Sequence, residues 1–168
     1  ASAAWATGES IVGLAWLVTG VQARWAAASA PQALPTLYFA NHTSHGDFVL
    51  VWASLPPDLR QLTRPVAGAD YWMKSSLRRF VGADVVRALM IRRDASAPRD
   101  EPAPPRDEPA PPRDDPVQAM VDALAGGDSL IMFPEGTRNT GDELLLPLKS
   151  GLYHVALRCP EVRLVPVW

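Results

Sequence analysis

The chain has 168 residues, 48% of them hydrophobic and 20% charged, with a formal net charge of −2. That length supplies a core for one compact domain, and a single cysteine, Cys159, excludes a disulfide framework and a thiolate zinc cluster. The charge balance is not that of a nucleic-acid binder, yet residues 60–93 hold 8 Lys or Arg against Asp70 and Asp84, so an anionic ligand is expected there.

The first 30 residues are Ala-rich and carry Trp5, Trp16 and Trp25. Ile11, Leu14, Val18, Val21 and Trp25 recur at helical spacing, which predicts an amphipathic N-terminal helix over 1–30. It either packs on the domain or lies in a membrane interface. The apolar run Ile11 to Val21 falls short of the roughly 20 residues of a membrane span. No Lys/Arg-rich start precedes it, as a secretory signal would have.

From residue 31 to 168 strand and helix signals alternate. Strands are predicted at Thr36 to Ala40, Pro65 to Ala67, Ala88 to Ile91, Leu130 to Phe133 and Val162 to Val167. Helices are predicted at Phe48 to Leu55, ended by Pro56-Pro57, and at Tyr71 to Phe80 with Asp70 as cap. A third follows Asp115-Pro116 and closes at Gly126-Gly127, and a fourth runs from Gly151 to Arg158 with Ser150 as cap. The alternation implies an α/β domain, a mostly parallel sheet flanked by helices. Cys159 reads as a core residue of the last helix. Residues 97–116 interrupt the pattern with a repeat of period seven that holds 8 of the 17 prolines. With Arg, Asp, Glu and Ala otherwise, this proline-rich insertion has nothing to build a core from and reads as an extended, solvated spacer.

Two constellations follow predicted strands. In Asn41-His42-Thr43-Ser44-His45-Gly46-Asp47, an imidazole suited to removing a proton stands five residues before a carboxylate that is able to fix its tautomer. The two share no face of a regular helix, but a strand-to-helix turn brings them together, with Asp47 in a favourable first helical turn. Ser44 is the nearest candidate nucleophile and is better explained as a helix cap. In Phe133-Pro134-Glu135-Gly136-Thr137-Arg138-Asn139, Gly136 permits close backbone approach, Thr137 offers a hydroxyl and Arg138 a forked cation for phosphate. Arg92-Arg93 end a strand, and Lys149-Ser150-Gly151 open a helix whose amides favour an anion.

In this order the residues resemble the glycerolipid acyltransferase family that includes the 1-acylglycerol-3-phosphate (lysophosphatidic acid) acyltransferases. The family's N-H-x-S-x-x-D block is met by Asn41, His42, Ser44 and Asp47, and its F-P-E-G-T-R block by Phe133 to Arg138. Arg93 best matches the arginine that ends the second block, where Arg92 replaces a frequent Asp. Val165-Pro166-Val167 matches the proline-containing fourth strand, and the resemblance covers roughly residues 36–168. Members usually continue well past that strand, so the resemblance also implies that closing elements of the domain are missing here.

The resemblance implies acyl transfer from a thioester, acyl-CoA or acyl carrier protein, to a glycerol hydroxyl. Lysophosphatidic acid is the expected acceptor, with glycerol-3-phosphate or another lysophospholipid as the nearer alternative. His42 would be the general base, oriented by Asp47, with the substrate's own hydroxyl in the place of a serine nucleophile. Arg93, Arg138 and Lys149, with Glu135, Gly136 and Thr137, would form the acceptor phosphate site. Backbone amides near Gly136 would receive the oxyanion, and Ser44 and Pro166 fall to the acyl-donor side or to structure. No metal and no resident cofactor are implied, and the expected location is the cytoplasmic face of the cell membrane. Two other classes remain open. A metal-dependent hydrolase on His42, His45 and Asp47 would lack the ligands that Ser44 and Phe48 replace, leaving only His154 elsewhere. A non-catalytic lipid-binding module would use the basic segment without any His42-dependent turnover.

Overall fold

The computed structural model describes residues 3–26, 30–91 and 115–168. Arg92, Arg93 and the repeat up to residue 114 lie outside them. Five strands form one sheet among the described residues: β1 (Thr36–Ala40), β2 (Thr63–Gly68), β3 (Leu89–Ile91), β4 (Ser129–Met132) and β5 (Arg163–Val167). Their order is β3-β2-β4-β1-β5 and every pairing is parallel, as the α/β expectation requires.

The sheet is covered on both faces, which is why its central strands are apolar at successive positions. Side chains alternate across a strand, so Tyr38 and Ile131 enter one core while their neighbours Leu37 and Leu130 enter the other. The first core packs beneath α1 (Ala3–Thr19) and α2 (Asp47–Ala53) and includes Val12, Val51 and Trp52. Burial raises the Tyr38 phenol above its usual value. The second core lies beneath α6 (Pro116–Ala125) and α7 (Gly151–Arg158), through Met120, Leu124 and Val155. Each such fully buried aliphatic side chain contributes about 1.5–3 kcal/mol.

Several expectations are corrected. The apolar stripe does not continue to Val21 and Trp25, because α1 ends at Thr19 and Gly20 turns out of it at a φ of 62°. The helix meets the domain through its small face: Gly8 and Val12 are buried, whereas Leu14, Leu17 and Val18 are exposed. A methyl on Gly8 would stand 3.3 Å from the Trp52 ring, so the small face of the helix is the one that lets it approach. Trp25, beyond the helix, packs edge-on against Tyr38.

The single helix expected over Tyr71 to Phe80 is instead α4 (Ala69–Trp72), α5 (Ser76–Arg79) and a π-helical segment, Phe80–Val85. Gly68, not Asp70, stands at the N-cap of α4, and the Ser75 hydroxyl caps α5 by accepting from the Arg78 amide. A short α3 (Pro57–Gln61) follows Pro56, with Pro57 in its first turn. Lastly, the Ser150 side chain makes no cap hydrogen bond to α7.

The Asp115-Pro116 start of α6 stands as expected: Asp115 Oδ1 accepts from the Val117 amide at 2.9 Å. Hydrogen bonding from the Gln118 backbone, with smaller help from Val117 and Arg158, holds the Asp115 carboxyl below the usual carboxylate range. A carboxyl lowered in the folded chain stabilises above its unfolded pKa and loses that effect as pH falls through the folded value. Asp115→Ala is therefore expected to melt at a lower temperature than wild type at neutral pH. The gap should close on acidification, which melting curves of both proteins across the acidic range would show.

Candidate active site

The chain leaves β1 toward β2 on one side, by way of α2 and α3, and leaves β4 toward β5 on the other, by way of α7. Because β1 and β4 are neighbours, their C-terminal ends form a switch point, the place where ligands of doubly wound sheets bind. Both sequence constellations start there, His42 two residues after β1 and Phe133 immediately after β4.

His42 and Asp47 meet. The imidazole Nδ1 lies 3.0 Å from Asp47 Oδ2, and the two side chains are only 19% and 17% exposed. The turn from β1 into α2 is closed by the same oxygen, which accepts from the amides of Thr43 at 2.7 Å and Ser44 at 2.8 Å. A carboxylate only accepts, so it holds the proton on Nδ1 and leaves the Nε2 lone pair available. No described residue hydrogen-bonds Nε2. Ser44 does not cap α2. Its hydroxyl accepts from the Gly46 amide at 3.1 Å, while Gly46 holds the N-cap position without a side-chain bond. His45 stacks on Tyr71, not on His42, and no group of three or more metal-ligating side chains assembles among the described residues.

The second constellation wraps the first. Phe133 stacks on the His42 ring at 4.3 Å, and the Asn139 amide donates to the His42 carbonyl at 2.6 Å. Glu135, 2% exposed, accepts from the His42 amide through Oε1 at 2.6 Å and from the Leu146 amide through Oε2 at 3.0 Å. It thereby ties the β1–α2 turn to two points of the β4–α7 loop. The Lys149 amide donates to Pro134 at 2.8 Å, which brings the lysine over the turn. Gly136 sits at a φ of 68°, and a Cβ there would lie 2.8 Å from the Lys149 side chain, so glycine serves both the turn and the close approach.

The Gly136 amide itself is taken by the Phe133 carbonyl, whereas the amides of Thr137 and Arg138 meet no acceptor among the described residues. The side chains of Thr137, Arg138 and Lys149 are exposed, and neither cation pairs with a described carboxylate. Pro166 lies opposite Phe39 on edge strand β5, where a missing N–H is tolerated. Arg93 falls outside the described residues. Phe133, Asn139 and Leu146 take their parts in the site from the structure alone. The first two belong to the Phe-Pro-Glu-Gly-Thr-Arg-Asn run, but a backbone amide eleven residues from Glu135 leaves no mark in sequence.

The fold and site together define a doubly wound α/β protein with an imidazole–carboxylate pair at its switch point and exposed cations beside it. The model of the Acyltransferase family matches residues 26–168, most of the chain. The chain belongs to that family, which contains the glycerolipid acyltransferases, and its chemistry is acyl transfer. No curated protein and no solved structure matches it.

Proposed function

We propose that the chain transfers an acyl group from an acyl-CoA or acyl carrier protein thioester to the free hydroxyl of lysophosphatidic acid, giving phosphatidic acid in phospholipid synthesis. The observation that carries this reading is His42 Nε2, unpaired among the described residues while Asp47 holds Nδ1 at 3.0 Å. The acceptor hydroxyl gives its proton to Nε2 as its oxygen attacks the thioester carbonyl. Asp47 stabilises the imidazolium, and the free amides of Thr137 and Arg138 stand in the loop that would receive the oxyanion. Collapse breaks the C–S bond, and the departing thiolate takes the proton back from Nε2. No enzyme nucleophile enters, and no metal or resident cofactor is called on.

Arg138 and Lys149, with Arg93, supply cations for the acceptor phosphate. Glu135 acts on this acceptor through His42, as a positioning residue. Leu144, Leu145 and Leu148, on the loop that Glu135 fastens, are exposed and offer apolar surface to a lipid chain beside the site. A membrane surface is the matching partner, and its cytoplasmic face the matching place. No described helix is long and apolar enough to cross a membrane, but α1 exposes Trp5, Leu14, Trp16, Leu17 and Val18.

Thiol release from acyl-CoA, followed with a thiol-reactive dye, tests the assignment. Release that requires lysophosphatidic acid is expected. Release that requires glycerol-3-phosphate instead moves the acceptor, and release without any acceptor makes the protein a thioesterase. Silence with acyl-CoA and acyl carrier protein thioesters alike favours a lipid-binding module.

A further inference from the structure

At the opposite end of the sheet, before β2 and β3 begin, a cavity of about 280 Å³ opens between α1 and the body of the domain. Trp5, Gly8 and Glu9 of α1 form one wall, and Trp52, Arg60 and Val85 the other. Arg60 is 5% exposed, yet its Nε and Nη1 have no hydrogen-bond partner among the described residues. Its guanidinium lies over the Trp52 ring at 5.4 Å. The carboxylate that faces it, Glu9 Oε1, stands 3.9 Å from Nη1, beyond hydrogen-bond reach, on a side chain 41% exposed. Arg87 at the rim is held at a φ of 51°, with Nη1 donating to the Gln61 carbonyl at 2.8 Å. Such strain in a non-glycine residue gathers at ligand sites.

A buried cation with unmet donors is costly unless an acceptor reaches it. Glu9 shows which chemistry the position attracts, but from a partly exposed side chain it stops 3.9 Å from Nη1. We infer that this cavity binds a small amphiphilic carboxylate, whose oxyanion takes the place at Arg60 that Glu9 approaches and whose short apolar body lies against Trp5, Trp52 and Val85. The site is remote from His42 and independent of the acceptor assigned there. Its volume lies just below the range of small-molecule pockets, about 300–1,000 Å³, which suits a ligand of a few carbons.

The test titrates the whole 15N-labelled chain with hexanoate, hexanol and inorganic phosphate, and follows the Arg60 Nε–H resonance. Hexanoate should shift it saturably, with weaker responses to phosphate and to the neutral alcohol. Glu9→Gln removes the carboxylate paired with Arg60 without touching a buried group, and leaves Asp84 of the lining in place. It should tighten hexanoate by about fivefold, the effect of one charge at ~4 Å in a high dielectric. No saturable shift in either protein overturns the site, and hexanol acting as well as hexanoate overturns the role of Arg60. Phosphate acting as well as hexanoate overturns the apolar half of the ligand.

Discussion

His42→Ala should reduce acceptor-dependent acyl transfer by about 10³-fold, inside the 10²–10⁴ that a positioned general base contributes, while the melting temperature changes little. The His42 side chain is partly exposed and its main structural contact is the stack on Phe133, so its loss leaves the braces of the loop in place. Those braces run through the His42 backbone, to Glu135 and Asn139, and survive truncation to alanine. The Asp47 series then separates orientation from charge. Asp47 receives all three of its donors, the His42 ring and the Thr43 and Ser44 amides, on one oxygen. An asparagine carbonyl at that point keeps all three, because the two backbone donors prevent the amide from turning its NH₂ inward. Asp47→Asn therefore retains the reactive tautomer and loses only the stabilisation of the imidazolium, for about 10- to 100-fold in kcat. Asp47→Ala also frees the ring and the turn, and should approach the loss seen with His42→Ala. Equal losses for Asn and Ala would show that charge alone matters.

The sequence made the sheet legible where punctuation was strong. Thr36–Ala40 is a run of apolar and β-prone residues stopped by Asn41, and α6 is framed by Asp115-Pro116 and Gly126-Gly127, so each boundary has a local cause. The segment after β2 had no such frame. A helix over Tyr71 to Phe80 satisfies local propensity, but Gly82 must pass the Trp72 ring so closely that an added Cβ would lie 2.7 Å from it. That packing is tertiary, and the chain meets it with two short helices and a π-helical turn. The first helix misled for a related reason. A stripe of large side chains points to Leu14 and Val18, whereas the indole of Trp52 comes so close beneath α1 that a methyl on Gly8 would stand 3.3 Å from it, and Gly8 and Val12 are the buried residues. In the site, the residue types of the His42–Asp47 pair and the strand-to-helix turn that joins them were legible, whereas the sharing of one Asp47 oxygen with the turn's own amides was not. Five positions apart, they converge only because Asp47 also satisfies the turn between them.

Glu135 is where the geometry and the family resemblance lead to different experimental outcomes. The resemblance sets this residue against the acceptor, whereas its two oxygens here accept from the His42 and Leu146 amides, and the residue is 2% exposed. Leaving a buried amide without its acceptor costs about 1–3 kcal/mol. Glu135→Ala orphans both, so a loss of about 2–6 kcal/mol in unfolding free energy is expected. Glu135→Gln keeps one acceptor and turns an NH₂ toward the other amide, so about half that loss should follow. Both variants release the His42 backbone, and a displacement near 1 Å costs on the order of 10² in rate. Measured well below the unfolding transition, kcat should therefore fall while KM for the acceptor holds, because the brace acts on the base and not on the bound phosphate. A side chain that instead touched the acceptor would give the reverse, a raised KM in Glu135→Gln with unfolding unchanged. Urea unfolding and a kcat–KM split on the same two variants decide between a brace and a contact.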